Sequence, residues 1–288
     1  MATNRTKPPT VRLRRLAAEL RRLRAAAGMS REQVTEQTGV NEGTLYRLET
    51  ARARPQRRTL VALLDLYGVS GDARTGLLDI AKSADDQGWL RPYHAELPEE
   101  YAAYISFEAE ARAVRNYESL FIPGLLQTED YARAVISGTL PLATSTEVEQ
   151  RVQARMERQE RLSGTLPLGF WAILDEAAIR RMVGGSTVMH EQLTHLLEAA
   201  KQPNITLQVI TFDMGAHPGM PGSFIYMEFD PGDPELVYVD TLAGDLFLEA
   251  EADLSIYASM FDHLRAIALS PARSTGMIST VIESMEGR

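Results

Sequence analysis

The chain contains no cysteine, which removes disulfides, thiolate metal sites and a sulfur nucleophile together. Lysine is nearly missing: Lys7, Lys82 and Lys201 are the only three, so the positive charge is almost all arginine. Histidine is sparse, with His94, His190, His195, His217 and His263 scattered and none beside a convincing acid–base partner in sequence. No Ser-His-Asp or comparable catalytic set is legible, and we expect no enzyme activity, no metal and no cofactor. No apolar run approaches the roughly 18 residues of a membrane span, and the first residues lack the apolar core of a signal peptide. We expect a soluble, cytoplasmic protein with no membrane partner.

What is present is length and a polarised charge. At 288 residues and 44% apolar composition, the chain can supply cores for two domains of about 100–200 residues each. The net charge of −9 conceals a split: residues 1–70 hold 14 Lys/Arg against 6 Asp/Glu, and the remainder hold 16 against 33. A first quarter at +8 suits a polyanion, whereas a body at −17 repels one and helps orient the molecule on it. Arg12, Arg14, Arg15, Arg21, Arg22 and Arg24 can be read as the solvated face of one helix. Beside the pattern that follows, we read them as part of a polyanion-binding surface.

From Ser30 to Glu49 the sequence predicts two short helices joined by a tight turn. Ser30 is a cap, with Glu32 and Gln33 near the position that closes a capping box. Val34 and Gln37 are expected inward, and Gly39 supplies the turn. Asn41 caps a second helix that buries Leu45 and Leu48 and exposes Glu42, Gly43, Thr44, Tyr46 and Arg47. A helix-turn-helix offers its second helix to the DNA major groove in this way. Asn41, Glu42, Gly43, Thr44 and Arg47 are therefore the expected groove-facing set, and arginine can pair bidentately with guanine. Gln33, Arg52 and Arg54 are better placed for phosphates, which position a protein without reading sequence. Tyr46 reads either as core or as a phosphate ligand, with core the favoured choice.

Around this motif we expect a flexible arm over residues 1–10 and a helix-turn-helix domain over 11–82. Its flanking helices are Val11–Ala27, Gln56–Tyr67 and Asp72–Lys82, giving five in all. A linker over 83–98 leads to a second domain over 99–288. There the expected helices are Glu99–Val114, Thr128–Ser137, Thr146–Leu162, Glu176–Val183, Val188–Lys201, Leu246–Ala268 and Pro271–Met285. Strands are expected over Leu166–Leu174, Ile205–Phe212, Ser223–Phe229 and Leu236–Asp240, with a turn at Pro231–Pro234. The fold class expected is an N-terminal all-α unit followed by an α+β domain with a small, mostly antiparallel sheet flanked by helices.

Other patterns in the second domain carry less. His190-Glu191-Gln192-Leu193-Thr194-His195 has one residue too many for a zinc-protease helix. Residues five apart lie about 140° apart around a helix, so the two imidazoles cannot share an ion. Asp175-Glu176 is read as a helix start complementing the dipole rather than as an acid–base pair. Gly184-Gly185-Ser186 lacks the spacing and lysine of a phosphate loop. The loop Gly215–Gly222, with His217 inside it, is of the kind that covers pockets, although a plain connection is the simpler reading. Trp89, Phe121, Trp171 and His217 are the candidates for ligand or partner contact.

Two stretches resemble known families. Arg31-Glu32-Gln33-Val34, Leu45-Tyr46-Arg47-Leu48-Glu49 and Arg54-Pro55 are similar to the lambda-repressor-like (Xre) helix-turn-helix domain. This chain departs at Thr35, where a small residue is usual, and at Ala51, where glycine is usual and a left-handed cap sits less comfortably. Phe121–Ala132, which contains Pro-Gly-Leu-Leu-Gln-Thr-Glu, and Leu174–Arg181 resemble the C-terminal domain of WhiJ-type actinobacterial regulators. Gln192-Leu193 and Pro203–Ile210 extend that likeness. The resemblance implies a DNA-binding regulator of development or secondary metabolism, commonly encoded beside a small acidic partner protein. The expected protein is thus a homodimeric repressor on double-stranded DNA, nucleoid-associated when bound, whose second domain senses that partner or a small-molecule effector. The alternatives are an antitoxin-like regulator that neutralises an adjacent-gene product, and a receptor or enzyme domain fused to a DNA-binding domain.

Overall fold

The computed structural model describes residues 10–83, 99–241 and 244–286. The expected arm (apart from Thr10), nearly all of the expected linker, and with it Trp89, lie outside the described residues. The chain divides into two compact units: the first holds the amino-terminal helices with residues 102–107 and 231–234, and the second holds the rest of the described chain.

In the first unit, α1 (Val11–Ala26), α2 (Arg31–Thr38), α3 (Glu42–Glu49), α4 (Arg57–Leu66) and α5 (Gly71–Ser83) follow the expected order. Thr10 caps α1 through Leu13 N–H. Leucines at spacings of three and four converge on one core, where Leu20, Leu45, Leu60, Leu63 and Leu64 are fully buried together with Val34. Each such side chain contributes about 1.5–3 kcal/mol of burial. Gln37 points to solvent; on a two-turn helix the narrow inward stripe is filled by Val34 alone.

Next in the chain is α6 (Glu99–Glu110), whose residues 102–107 belong to the first unit and whose ends belong to the second; it stops short of the expected Val114. Ala113–Glu118 is instead β1, the strand on which the sheet is built. Its Val114 and Asn116 bury on one face while Tyr117 buries on the other. The helical period of 99–110 gives way here to the alternation of a strand. Helices α7 (Glu129–Thr139) and α8 (Ser145–Arg158) lead to β2 (Gly169–Asp175). Helices α9 (Glu176–Arg180) and α10 (Ser186–Ala199) lead to β3 (Ile205–Ile210). Then come β4 (Phe224–Glu228), β5 (Leu236–Val239), β6 (Leu246–Leu248), α11 (Glu251–Ile267) and α12 (Pro271–Glu286). Leu246–Leu248 was expected to open α11. It pairs with β5 instead, Tyr238 opposite Phe247, and Ala250 caps the helix that follows.

The six strands form one mixed sheet in the order β3-β2-β1-β4-β5-β6. β1, β2 and β3 are parallel, as their helical crossovers require, and the other three pairings are antiparallel. The outer edge of β3 is closed: Leu269 N–H reaches Val209 O at 2.9 Å and Ser274 Oγ accepts from Val209 N–H at 3.0 Å. The Pro-Gly-Leu-Leu-Gln-Thr-Glu stretch is a hydrogen-bonded hub. Gln192 donates to Leu126 O and accepts from Thr128 N–H, both at 2.7 Å, and Gln159 donates to Gln127 O at 2.7 Å. Below it the buried Arg158 guanidinium grips the buried Glu108 with two bonds of 2.7 Å. Among the described residues no helix is long and apolar enough to cross a membrane.

Candidate nucleic-acid interface

The two motif helices are set by their caps. Ser30 Oγ accepts from Gln33 N–H at 3.3 Å and Gln33 Oε1 accepts from Ser30 N–H at 2.8 Å, closing the capping box. Gly39 turns the chain at φ 71°, a conformation that only glycine adopts without strain. Asn41 Oδ1 then accepts from Gly43 N–H at 2.9 Å and starts α3. A methyl group on Gly43 would stand 3.2 Å from that oxygen, so glycine keeps both the cap and the outer surface of the first turn open.

With Leu45 and Leu48 buried, Asn41, Glu42, Gly43 and Arg47 face solvent and Thr44 is partly covered. The structure thus leaves four of the five expected groove-facing residues exposed and the fifth, Thr44, half-exposed around the start of α3. Arg47 lies back along the helix, donating to Thr44 Oγ1 at 3.1 Å. Because Gln33 uses its carbonyl oxygen in the capping box, its NH2 group is the end left to donate, as a phosphate requires.

Tyr46 corrects the favoured reading. It is not core but 41% exposed, with Arg31 and Arg52 guanidiniums at 5.3 and 5.6 Å from its ring centre. Cation–π attraction gathers two positive charges beside the exposed helix. Arg31 was not singled out in sequence, because a contact between the start of one helix and the middle of the next leaves no local pattern. Arg54 donates to Lys82 O at 3.0 Å, at the carboxyl end of α5. Arg57 and Arg58, adjacent in sequence and also not singled out, are exposed on the first turn of α4.

The arginines of α1 form neither one solvated face nor, as a set, the expected polyanion-binding surface. Arg14 is buried, Arg22 is paired with Glu19, and Arg24 turns inward to Glu49 at 2.5 Å. Hydrogen bonding to Glu49 raises the Arg24 pKa further, so its charge stays paired with that buried carboxylate.

Of the ligand or partner candidates, the three among the described residues lie in different surroundings. Trp171 is occupied: its Nε1–H donates to Gln208 Oε1 at 2.8 Å and Arg265 covers its ring at 5.2 Å. Phe121 is half-buried in the hub region. His217 meets Asp175 at 3.4 Å at the carboxyl end of β2. On α10, Leu193 and Leu196 bury while His190 and His195 sit at different angles around the helix, and burial lowers the pKa of His195.

Comparison with known proteins agrees with this division of the chain. Residues 15–77 match a family model described as a helix-turn-helix domain, so the amino-terminal unit carries the means of binding DNA. No curated protein and no solved structure matches the chain. Residues 101–280, more than half of the sequence, match the model described as "Domain of unknown function (DUF5753)", and the chain belongs to that family, here joined to a helix-turn-helix domain.

Proposed function

We propose that the protein is a sequence-specific transcriptional repressor of the Xre type that binds DNA as a homodimer. Its second domain, similar to that of WhiJ-type regulators, receives a signal from a small acidic partner protein or a small ligand. One observation carries the DNA reading: α3 buries Leu45 and Leu48 and leaves Asn41, Glu42, Gly43 and Arg47 exposed and Thr44 half-exposed. Arg31 and Arg52, gathered on Tyr46, supply charge beside those residues, and Gln33, Arg57 and Arg58 extend it toward the phosphates. In this reading the backbone contacts set position and the α3 edge sets sequence.

The test is to map the genomic sites that the protein occupies and to measure binding to the recovered sequence against random duplex. A shared motif, bound at least about a thousandfold more tightly than random DNA, supports a sequence-specific regulator, and indifference to sequence overturns it. Transcript levels of the bound genes should rise when the protein is deleted; a fall reverses the sign of regulation. Co-purification with the product of an adjacent small gene, and a change in operator affinity when it is added, test the partner version of the signal.

A further inference from the structure

The connection from β3 to β4 passes over the carboxyl ends of β2 and β1, because those strands lie between its two endpoints in the sheet. Its contacts come in that same order. Phe212 N–H donates to Glu176 Oε2 at 2.8 Å, His217 lies over Asp175 at the end of β2, and Gly219 lies over Tyr117 on β1. Gly219 N–H donates to His217 Nδ1 at 3.2 Å, which leaves Nε2–H directed at Asp175 Oδ2. Gly215 at φ 67° and Gly222 at φ 149° bound the segment with backbone conformations that favour glycine. A Cβ at Gly219 would fall 2.5 Å from the Tyr117 ring, so only glycine lets the segment seat there.

Two polar groups under this strap are incompletely used. The Tyr117 side chain is fully buried and its hydroxyl has no hydrogen-bond partner among the described residues. Burial and the Asp175 and Glu118 carboxylates keep that hydroxyl protonated, well above its ordinary pKa. Asp175 gives one oxygen to Ala177 N–H at 2.8 Å, capping α9, while the other has only the long contact to His217. The neighbouring Glu176 is paired with Arg180; Asp175 has no arginine or lysine partner among the described residues. On the outside, Phe212, Met214 and Met220 of the same segment are exposed. Crevices at the carboxyl ends of parallel strands are habitual ligand sites in open sheets.

We propose that the strap covers the ammonium site of a small amphiphilic amine, with the ammonium group between Asp175 Oδ2 and the Tyr117 hydroxyl and the apolar body running out past the strap onto its exposed Phe212, Met214 and Met220. In the closed form His217 Nε2–H holds the place of the ligand's donor, and the hydroxyl waits unpaired. Binding lifts Gly219 from Tyr117 and gives both groups a charged partner. This deepens the reading of the second domain as the receiver of a signal and rests on it for any consequence at DNA; occupancy is measured separately.

Hexylamine and hexanoate share an apolar body and differ in head group, so they serve as probes of the full-length protein labelled at methionine methyls. Hexylamine should shift the Met214 and Met220 signals saturably, about tenfold or more tightly than hexanoate, and Asp175→Asn and Tyr117→Phe should each lose about tenfold. The amide of Asp175→Asn can still cap α9, so this variant keeps its fold. Tyr117→Phe should also raise the Tm of the empty protein by a few degrees, because an unpaired buried hydroxyl is removed. Gly219→Ala should unseat the strap and tighten hexylamine binding. Equal response to both probes, no saturable shift, or a lowered Tm with unchanged binding in Tyr117→Phe overturns the proposal. Saturable, head-group-selective binding that leaves operator affinity unchanged upholds the site and overturns its part in signalling.

Discussion

Glu49, at the end of α3, is completely buried, and its carboxylate is held by Arg24 of α1 at 2.5 Å and by Arg31 of α2 at 2.8 Å. One anion thereby ties together the helix that would enter the groove and the two helices that support it. Arg24 also donates to Met29 O at 2.9 Å, fixing the turn before α2. Removing Glu49 leaves two facing cations, each partly exposed and able to rehydrate, so the cost falls below that of an orphaned buried charge. Glu49→Ala should lower the stability of the amino-terminal unit by about 2–4 kcal/mol and Arg31→Ala by about 1 kcal/mol. Denaturant unfolding followed by a probe in that unit checks both, and equal, negligible losses would show that the triad contributes nothing.

Ala51 is the one described residue other than glycine with a positive φ, at 55°. The sequence flagged this position because glycine is usual there. The structure shows why alanine persists: its methyl packs with Leu13 and Ala17 of α1. A left-handed alanine costs about 1–2 kcal/mol, and one buried methyl returns about 0.8 kcal/mol. Ala51→Gly should therefore change stability by less than about 1 kcal/mol. Ala51→Val, with a branched side chain in both a left-handed and a crowded position, should lose about 2–3 kcal/mol. A Tm series of the two variants discriminates these effects, and a large gain for Ala51→Gly would mean that the methyl packing is worth little.

On DNA, Arg47 and Arg52 should separate. Arg47 lies on the exposed edge of α3, whereas Arg52 stacks on Tyr46 behind it. Arg47→Ala should weaken the specific site by about 1–3 kcal/mol more than random duplex. Arg52→Ala should weaken both alike and reduce the slope of log K against log salt by about 0.9. Tyr46→Ala should behave like Arg52→Ala, because the ring that gathers Arg31 and Arg52 is lost. Titrations on both DNAs at several salt concentrations decide this; a uniform loss for Arg47→Ala would move that residue to the phosphate class.

Where local chemistry dictated structure, the sequence was readable. Ser30, Gly39 and Asn41 each do what their own backbone requires, so both motif helices and the exposed edge between Asn41 and Arg47 followed from residue type and spacing. Long-range pairing was less legible. Val114 and Tyr117 could extend a helical pattern, and only pairing with β2 and β4 on both sides makes Ala113–Glu118 a strand. Leu246–Leu248 likewise needs β5 to be a strand at all. The partners of Arg24 and Tyr46 come from other helices and from the loop after α3, which no periodicity within one helix reveals. His217 stands out by its loop, whereas Asp175 and Tyr117 meet it only because the strand order carries that loop across their ends.

Glu118 ends β1 on the face opposite Tyr117, where Asn116 Nδ2 donates to it at 3.3 Å and Ser223 also bonds to it. Burial pushes its carboxyl up to about 7 from an ordinary value of 4.5; the Asp240 carboxylate adds to the rise, while Ser223, Asn116 and Arg155 oppose it. Because the folded pKa is the higher one, the folded protein holds a proton here that the unfolded chain has released between pH 4.5 and 7. Its favourable contribution is complete below pH 4.5 and is lost as pH rises through 7. Part of the side chain meets solvent, and screening by that water limits the loss to about 2 kcal/mol. Glu118→Gln imitates the protonated form at every pH. It should match the parent protein below pH 4.5 and exceed it by several degrees in Tm near pH 8, with the gap widening between pH 4.5 and 7 and level above that. The difference between the two Tm profiles cancels the other titrating groups, so a gap that stays constant from pH 5 to 8 would place Glu118 among the ordinary carboxylates.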